Sequence, residues 1–256
     1  MRSLSALALG MLLPLALAAP APAPAQVPAQ VRAPVQTPSL VQYDVRDLPL
    51  VELPPIAGAT GAASDALVVL VTGDGDWADL DKGVSEALRR AGAGVVGLKS
   101  RSYLQQGSRT PGGLTSDVER IVRHYAPLWG RNRIVLVGYS RGAEFVPFVA
   151  NRLPPDLRAR VALVTMFGLS RAANFTFHWS DLVRDQSRPS DLPVAPELAQ
   201  LRGTRMLCVY GDDEKDSGCR DGDASLMQRV ERTGGHHLGG DYAGLGALIV
   251  DALAAR

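Results

Sequence analysis

The sequence predicts an α/β fold, with a mainly parallel central sheet carrying helices on both faces. Three observations predict it. Short, nearly continuous apolar runs recur at Ala66–Val71, Val95–Leu98, Arg133–Val137, Val161–Phe167 and Arg205–Tyr210, as expected for strands covered on both sides. Between several of them lie stretches with helical apolar spacing, an alternation typical of βαβ units. The third observation is Gly138-Tyr139-Ser140-Arg141-Gly142, which follows an apolar run and leads directly into a helical pattern. This G-x-S-x-G arrangement between a strand and a helix is a nucleophile elbow, which holds a serine hydroxyl exposed on a sharp turn. A glycine two residues to either side is required because a Cβ would crowd the turn and the adjacent strand.

The chain has 256 residues and a formal net charge of +1, enough length for one large domain and no basic excess for nucleic-acid binding. Met1-Arg2 gives a positive start, Leu4–Ala19 is apolar, and Ala23-Pro24-Ala25 forms a small-x-small site before Gln26. Residues 1–25 therefore read as a secretory signal peptide; the alternative is an uncleaved anchor, for which the run is short. Residues 26–40, rich in Ala, Pro, Gln and Val, read as a tether. The remaining domain spans 41–256. Val41–Leu53 alternates apolar and polar residues, as an edge strand or hairpin would. A helix is expected from Leu80 to Ala91 and another over Thr115–Trp129. A third, Ala143–Leu153, is expected to break or kink at Pro147. Gly168–Leu201 interrupts the alternation and reads as a lid or pocket wall. A short strand at Leu226–Arg232 and a helix at Tyr242–Ala254 close the chain.

A serine hydroxyl needs a base, and the base an orienting acid. In an α/β-hydrolase fold the order is Ser, acid, His. Gly234-Gly235-His236-His237 lies where the base belongs, with His236 the first choice and His237 the alternative. The acid belongs in Gly211-Asp212-Asp213-Glu214-Lys215-Asp216. Counting from Gly211 favours Glu214, and matching from Cys219 favours Asp216, towards which the reading leans. The backbone N–H groups of Arg141 and Asp74 are the expected oxyanion donors, Asp74 lying on a glycine-flanked loop after a strand. In an exported chain Cys208 and Cys219 are expected to bond to each other; two free thiols are the alternative. No cofactor or metal is called for. The acidic run Asp74–Asp81 lacks the EF-hand spacing, and Asp79 or Asp81 reads better as a helix cap.

These pieces resemble the VirJ/AcvB family of exported bacterial proteins. The resemblance is carried by Thr72–Lys82, Arg123–Tyr125, Val137–Phe148, Asn151–Pro154, Tyr210–Cys219 and Gly234–Tyr242. The chain departs from the family pattern at Asp76, where glycine is common, and at Arg141, where phenylalanine is common. The resemblance implies a periplasmic serine hydrolase. In the AcvB branch the implied substrate is lysyl-phosphatidylglycerol at the membrane surface, whose two ammonium groups would favour acidic walls. Asp74, Asp76 and Glu144 are candidates for that charge. The VirJ branch is associated with type IV secretion components. A secretion accessory on a hydrolase fold, and a carboxylesterase with another substrate, are the competing expectations.

Overall fold

The computed structural model describes residues 43–178 and 188–255. The expected signal peptide, the tether and Trp179 lie outside them. The first half contains β1 (Leu50–Leu53), β2 (Ala66–Val71), α1 (Asp79–Arg90), β3 (Gly94–Leu98), α2 (Ser100–Gln105), α3 (Pro111–Leu128), β4 (Arg133–Tyr139) and α4 (Arg141–Arg152). The second contains α5 (Pro155–Arg158), β5 (Val161–Phe167), β6 (Ala172–Ala173), β7 (Leu192–Pro193), α6 (Ala195–Gln200), β8 (Met206–Gly211), α7 (Gly218–Asp221), β9 (Gln228–Arg232) and α8 (Tyr242–Ala254).

Seven strands form one sheet in the order β1-β3-β2-β4-β5-β8-β9. Every neighbouring pair is parallel except β1 with β3, so β1 is an antiparallel edge strand. The period of two explains the apolar runs. Along β2, Leu67, Val69 and Val71 enter one layer with Tyr125, Phe145 and Phe148 of α3 and α4. Ala66, Val68 and Leu70 enter the other, with Leu80, Val84, Leu88, Leu245 and Ile249 of α1 and α8. Burying an aliphatic side chain of this size contributes roughly 1.5–3 kcal/mol, so β2 has no face on which a polar residue would be neutral.

The chain runs outward from β2 to β3, then returns across β2 to β4. Strand order therefore reverses between β2 and β4, and the loops leaving their carboxyl ends diverge there. Such a switch point opens a crevice in doubly wound sheets. Ser140 follows β4, and Gly73-Asp74 follows β2.

The edge segment forms one short strand, the first of its two expected forms, and two helices depart from expectation. Helix α2 had no periodic signal, being six residues long. Helix α4 runs unbroken through Pro147. The ring costs one backbone hydrogen bond, but the flanking Val146 and Phe148 are buried and hold the helix in place.

Asp81 lies in the first turn of α1, fully buried. Its Oδ2 accepts the Ala78 N–H at 2.9 Å, which answers the expected capping role, while Oδ1 has no partner among the described residues. Burial pushes its carboxyl up to about 6, with the Asp76 charge adding to the rise. A raised acid favours the neutral form on folding. The penalty on the folded state is absent below the ordinary carboxylate value, near 3.9, and complete above about 6. Asp81→Asn is expected to remove this pH dependence. Between pH 4 and pH 7, wild type should lose on the order of 2–3 kcal/mol relative to the variant, read by urea denaturation at both values.

Candidate active site

Strand β4 delivers Ser140 in a conformation few non-glycine residues adopt, with φ 53° and ψ −118°. Such a backbone costs on the order of 1–3 kcal/mol and persists only where the surroundings impose it. Here the Ser140 N–H donates to Phe167 O at 2.8 Å, tying the turn to β5. The flanking glycines are imposed by backbone. A Cβ on Gly142 would lie 1.9 Å from Val71 O, and one on Gly138 would lie 2.2 Å from Gly142 O. Neither obstacle is a side chain that could rotate away. Gly73 serves the neighbouring loop: a Cβ there would meet Ser140 Cβ at 3.1 Å, so the β2 loop rests against the serine.

His236 Nδ1 donates to Glu214 Oε1 at 2.6 Å. An ionised carboxylate only accepts, so the ring proton sits on Nδ1 and the Nε2 lone pair is left for another partner. The spacing of three from Gly211 has a local cause. Glu214 N–H donates to Gly211 O at 3.1 Å, and Gly211 N–H donates to Glu214 Oε2 at 2.7 Å. This closed turn folds the carboxylate back over the end of β8. Burial pushes the Glu214 carboxyl up, but the bonds from His236 and the Gly211 N–H outweigh it and hold the group below its ordinary value. The histidine loop is stitched to the same turn: Gly234 N–H donates to Asp212 Oδ1 at 2.8 Å, and Asp213 N–H to Gly234 O at 3.3 Å.

Glu214 therefore replaces Asp216 as the acid that faces His236, correcting the lean towards Asp216. The Asp216 side chain is 89% exposed, against 15% for Glu214, and pairs with Arg171 at 3.0 Å. It sits past the turn, where the chain has already swung away from β8. His237, the alternative base, meets Tyr139 instead, Nδ1 to Oη 3.3 Å.

Tyr139 was not foreseen as a site residue. Its ring stacks on His236 with centroids 5.4 Å apart, and its hydroxyl donates to His236 O at 3.4 Å. An aromatic residue directly before the serine was the available signal. Gly168 was also missed. Its φ is 62°, and a Cβ there would come within 2.7 Å of His236 Cε1, so the glycine makes room for the imidazole.

Ser140, Glu214 and His236 line one cleft of about 460 Å³, together with Asp74, Arg141, Glu144, Gly168 and the segment Lys215–Ser217. Asp74 and Glu144 both line this cleft. Asp76 is not among the lining residues. Its carboxylate accepts from Ser102 N–H at 3.2 Å and from Ser102 Oγ at 2.6 Å. The open N–H groups at the start of α2 draw it away from the cleft. The described part of the expected lid packs on the elbow helix: Phe175 stacks on Phe145 at 4.5 Å and meets Phe148 edge-on at 5.4 Å. Phe175 is part of the core.

Cys208 and Cys219 form a disulfide, eleven positions apart, with both residues fully buried. It joins β8 to α7 and so fixes Arg220, whose guanidinium donates to Asp212 O at 2.8 Å in the acid loop. Closing a loop of this length contributes about 2–3 kcal/mol in the chain-entropy picture. The double variant Cys208→Ala/Cys219→Ala is expected to lose that amount, seen as a lower urea midpoint with a steeper slope, because the unbridged unfolded chain is less compact.

Similar solved structures share this architecture. Est1E from Butyrivibrio proteoclasticus matches with TM-score 0.54 at 14% identity, covering 80% of this chain and 93% of that one. XC6422 from Xanthomonas campestris, described as an α/β serine hydrolase without a lid, gives 0.52 at 13%, covering 80% and 87%. An α/β serine hydrolase homologue from Coxiella burnetii gives 0.51 at 16%, covering 79% and 89%. At these identities the likeness speaks for the α/β-hydrolase fold alone. A search of curated proteins finds no match. The family model for bacterial virulence protein VirJ matches residues 65–256, which takes in the elbow, the acid turn and the histidine loop. The chain belongs to the VirJ family.

Proposed function

We propose that this chain is an exported serine esterase that cleaves the aminoacyl ester of an aminoacylated phospholipid at the periplasmic membrane surface. Lysyl-phosphatidylglycerol is the substrate the family resemblance suggests. The observation that carries the reading is the 2.6 Å bond between His236 Nδ1 and Glu214, in a cleft that also holds Ser140 on its strained turn. His236 Nε2 takes the Ser140 proton as Oγ bonds to the ester carbonyl carbon. The Asp74 and Arg141 backbone N–H groups receive the charge that develops on the carbonyl oxygen. The carbon–oxygen bond to the lipid glycerol then breaks, and His236 returns the proton to the departing oxygen. Water, deprotonated by the same ring, releases the amino acid and restores Ser140.

The charge of the cleft supports a cationic acyl group. Four carboxylates line it, Asp74, Glu144, Glu214 and Asp216, of which Asp74 is paired with Arg141 and Asp216 with Arg171. The test is purified protein with vesicles of phosphatidylglycerol containing lysyl-phosphatidylglycerol, followed by mass spectrometry of free lysine and lipid. Lysine release with recovery of phosphatidylglycerol is expected. Turnover of a p-nitrophenyl ester with no lysine release would keep the esterase and overturn this substrate.

A further inference from the structure

The residue after the nucleophile carries a side chain that bonds to two other segments of the chain. Arg141 Nε donates to Asp74 Oδ1 at 2.8 Å and Nη2 to Asp74 Oδ2 at 3.0 Å, a two-point fork. Its Nη1 donates to Asn174 O at 3.1 Å. One guanidinium thereby joins three segments: the first turn of α4, the loop leaving β2, and the loop that follows β6. Arg141 is 8% exposed and the Asp74 side chain 27%, so the guanidinium half of the fork is the part shielded from water. A planar, two-point contact of this kind fixes direction as well as distance, which a lysine ammonium does not.

The β2 loop is held at its base by other bonds. Gly73 O accepts from Ser100 Oγ at 2.9 Å and from Asp76 N–H at 3.0 Å. At Asp74 itself, the side-chain bonds come from Arg141. We infer that Arg141 is a positioning residue, whose side chain holds the Asp74 amide at the oxyanion position and locks the loop to the Asn174 segment. This rests on the esterase reading above and assigns a role to the side chain, separate from the Arg141 N–H. Buried ion pairs add little net stability over a well-packed alternative. What the fork supplies is placement, and a donor misplaced by about 1 Å costs on the order of 10²-fold in rate.

The test uses the whole mature protein and a p-nitrophenyl ester, with kcat referred to active sites titrated by the initial burst. For Arg141→Met, a fall in kcat of roughly 10²-fold with KM within threefold is expected, together with a matching loss of affinity for a boronic acid that mimics the tetrahedral state. Asp74→Asn breaks the same fork without removing the long side chain and should give a loss of the same kind. The double variant should be no slower than the slower single one, and Arg141→Lys should recover part of the rate. Active wild type alongside Arg141→Met with kcat within twofold overturns the positioning role alone. Losses that multiply in the double variant, or that appear only in KM, overturn it as well. Wild type that neither turns over this ester nor releases lysine from the vesicles above overturns the esterase reading and this inference with it; where only the vesicles react, the same variants are read by lysine release.

Discussion

Ser140→Ala is expected to lower ester turnover by about 10⁴-fold or more while leaving the fold intact. In a serine hydrolase the nucleophile and its base act as a unit, so removing the hydroxyl forfeits almost the whole advantage of the covalent route. What survives is the contribution of the oxyanion donors and of binding. The structural consequences are small. Ser140 makes its fold-holding contacts through backbone, N–H to Phe167 O at 2.8 Å and C=O from Glu144 N–H at 3.2 Å. Alanine keeps both, and meets the same positive φ that serine endures. The thermal midpoint of the variant should therefore stay within a few degrees of wild type, while initial rates separate the two enzymes.

The second large effect distinguishes two acids two residues apart. Glu214→Gln is expected to reduce kcat by about 10³–10⁴-fold, and Asp216→Asn by less than about threefold. The glutamine amide can present an N–H to His236 Nδ1, which moves the ring proton to Nε2 and removes the lone pair that Ser140 requires. Asp216 faces solvent and Arg171, so losing its charge leaves the imidazole untouched. A pH consequence follows for stability. The bonds that hold the Glu214 carboxyl below its ordinary value stabilise the fold fully above that ordinary value. Their contribution is lost as pH falls through the lowered one. Glu214→Gln should abolish this part of the acid-side decline, measurable by denaturant titration at pH 3 and pH 6.

The strands and the nucleophile turn were legible because their causes are local or periodic. Continuous apolar runs report burial on two faces, and the glycines around Ser140 report backbone that leaves no room for a Cβ. The histidine loop was legible by order along the chain. The acid was not decided, because Glu214 and Asp216 are both carboxylates on one loop. What separates them is the turn closed by Gly211, a hydrogen-bond pattern that charge and spacing do not display. Asp76 was drawn out of the cleft by α2, a helix too short to register as a period. Arg141 read as the bearer of a backbone donor, since nothing local marks Asp74 and Asn174 as partners from segments so far away in sequence.

The most direct measurement is reaction of the purified protein with a fluorophosphonate, followed by intact mass and peptide mapping. One adduct per chain is expected, on Ser140, absent in Ser140→Ala and formed far more slowly in Glu214→Gln. An unlabelled wild-type protein, or an adduct on another residue with Ser140 unmodified, would contradict the Ser140–His236–Glu214 assignment.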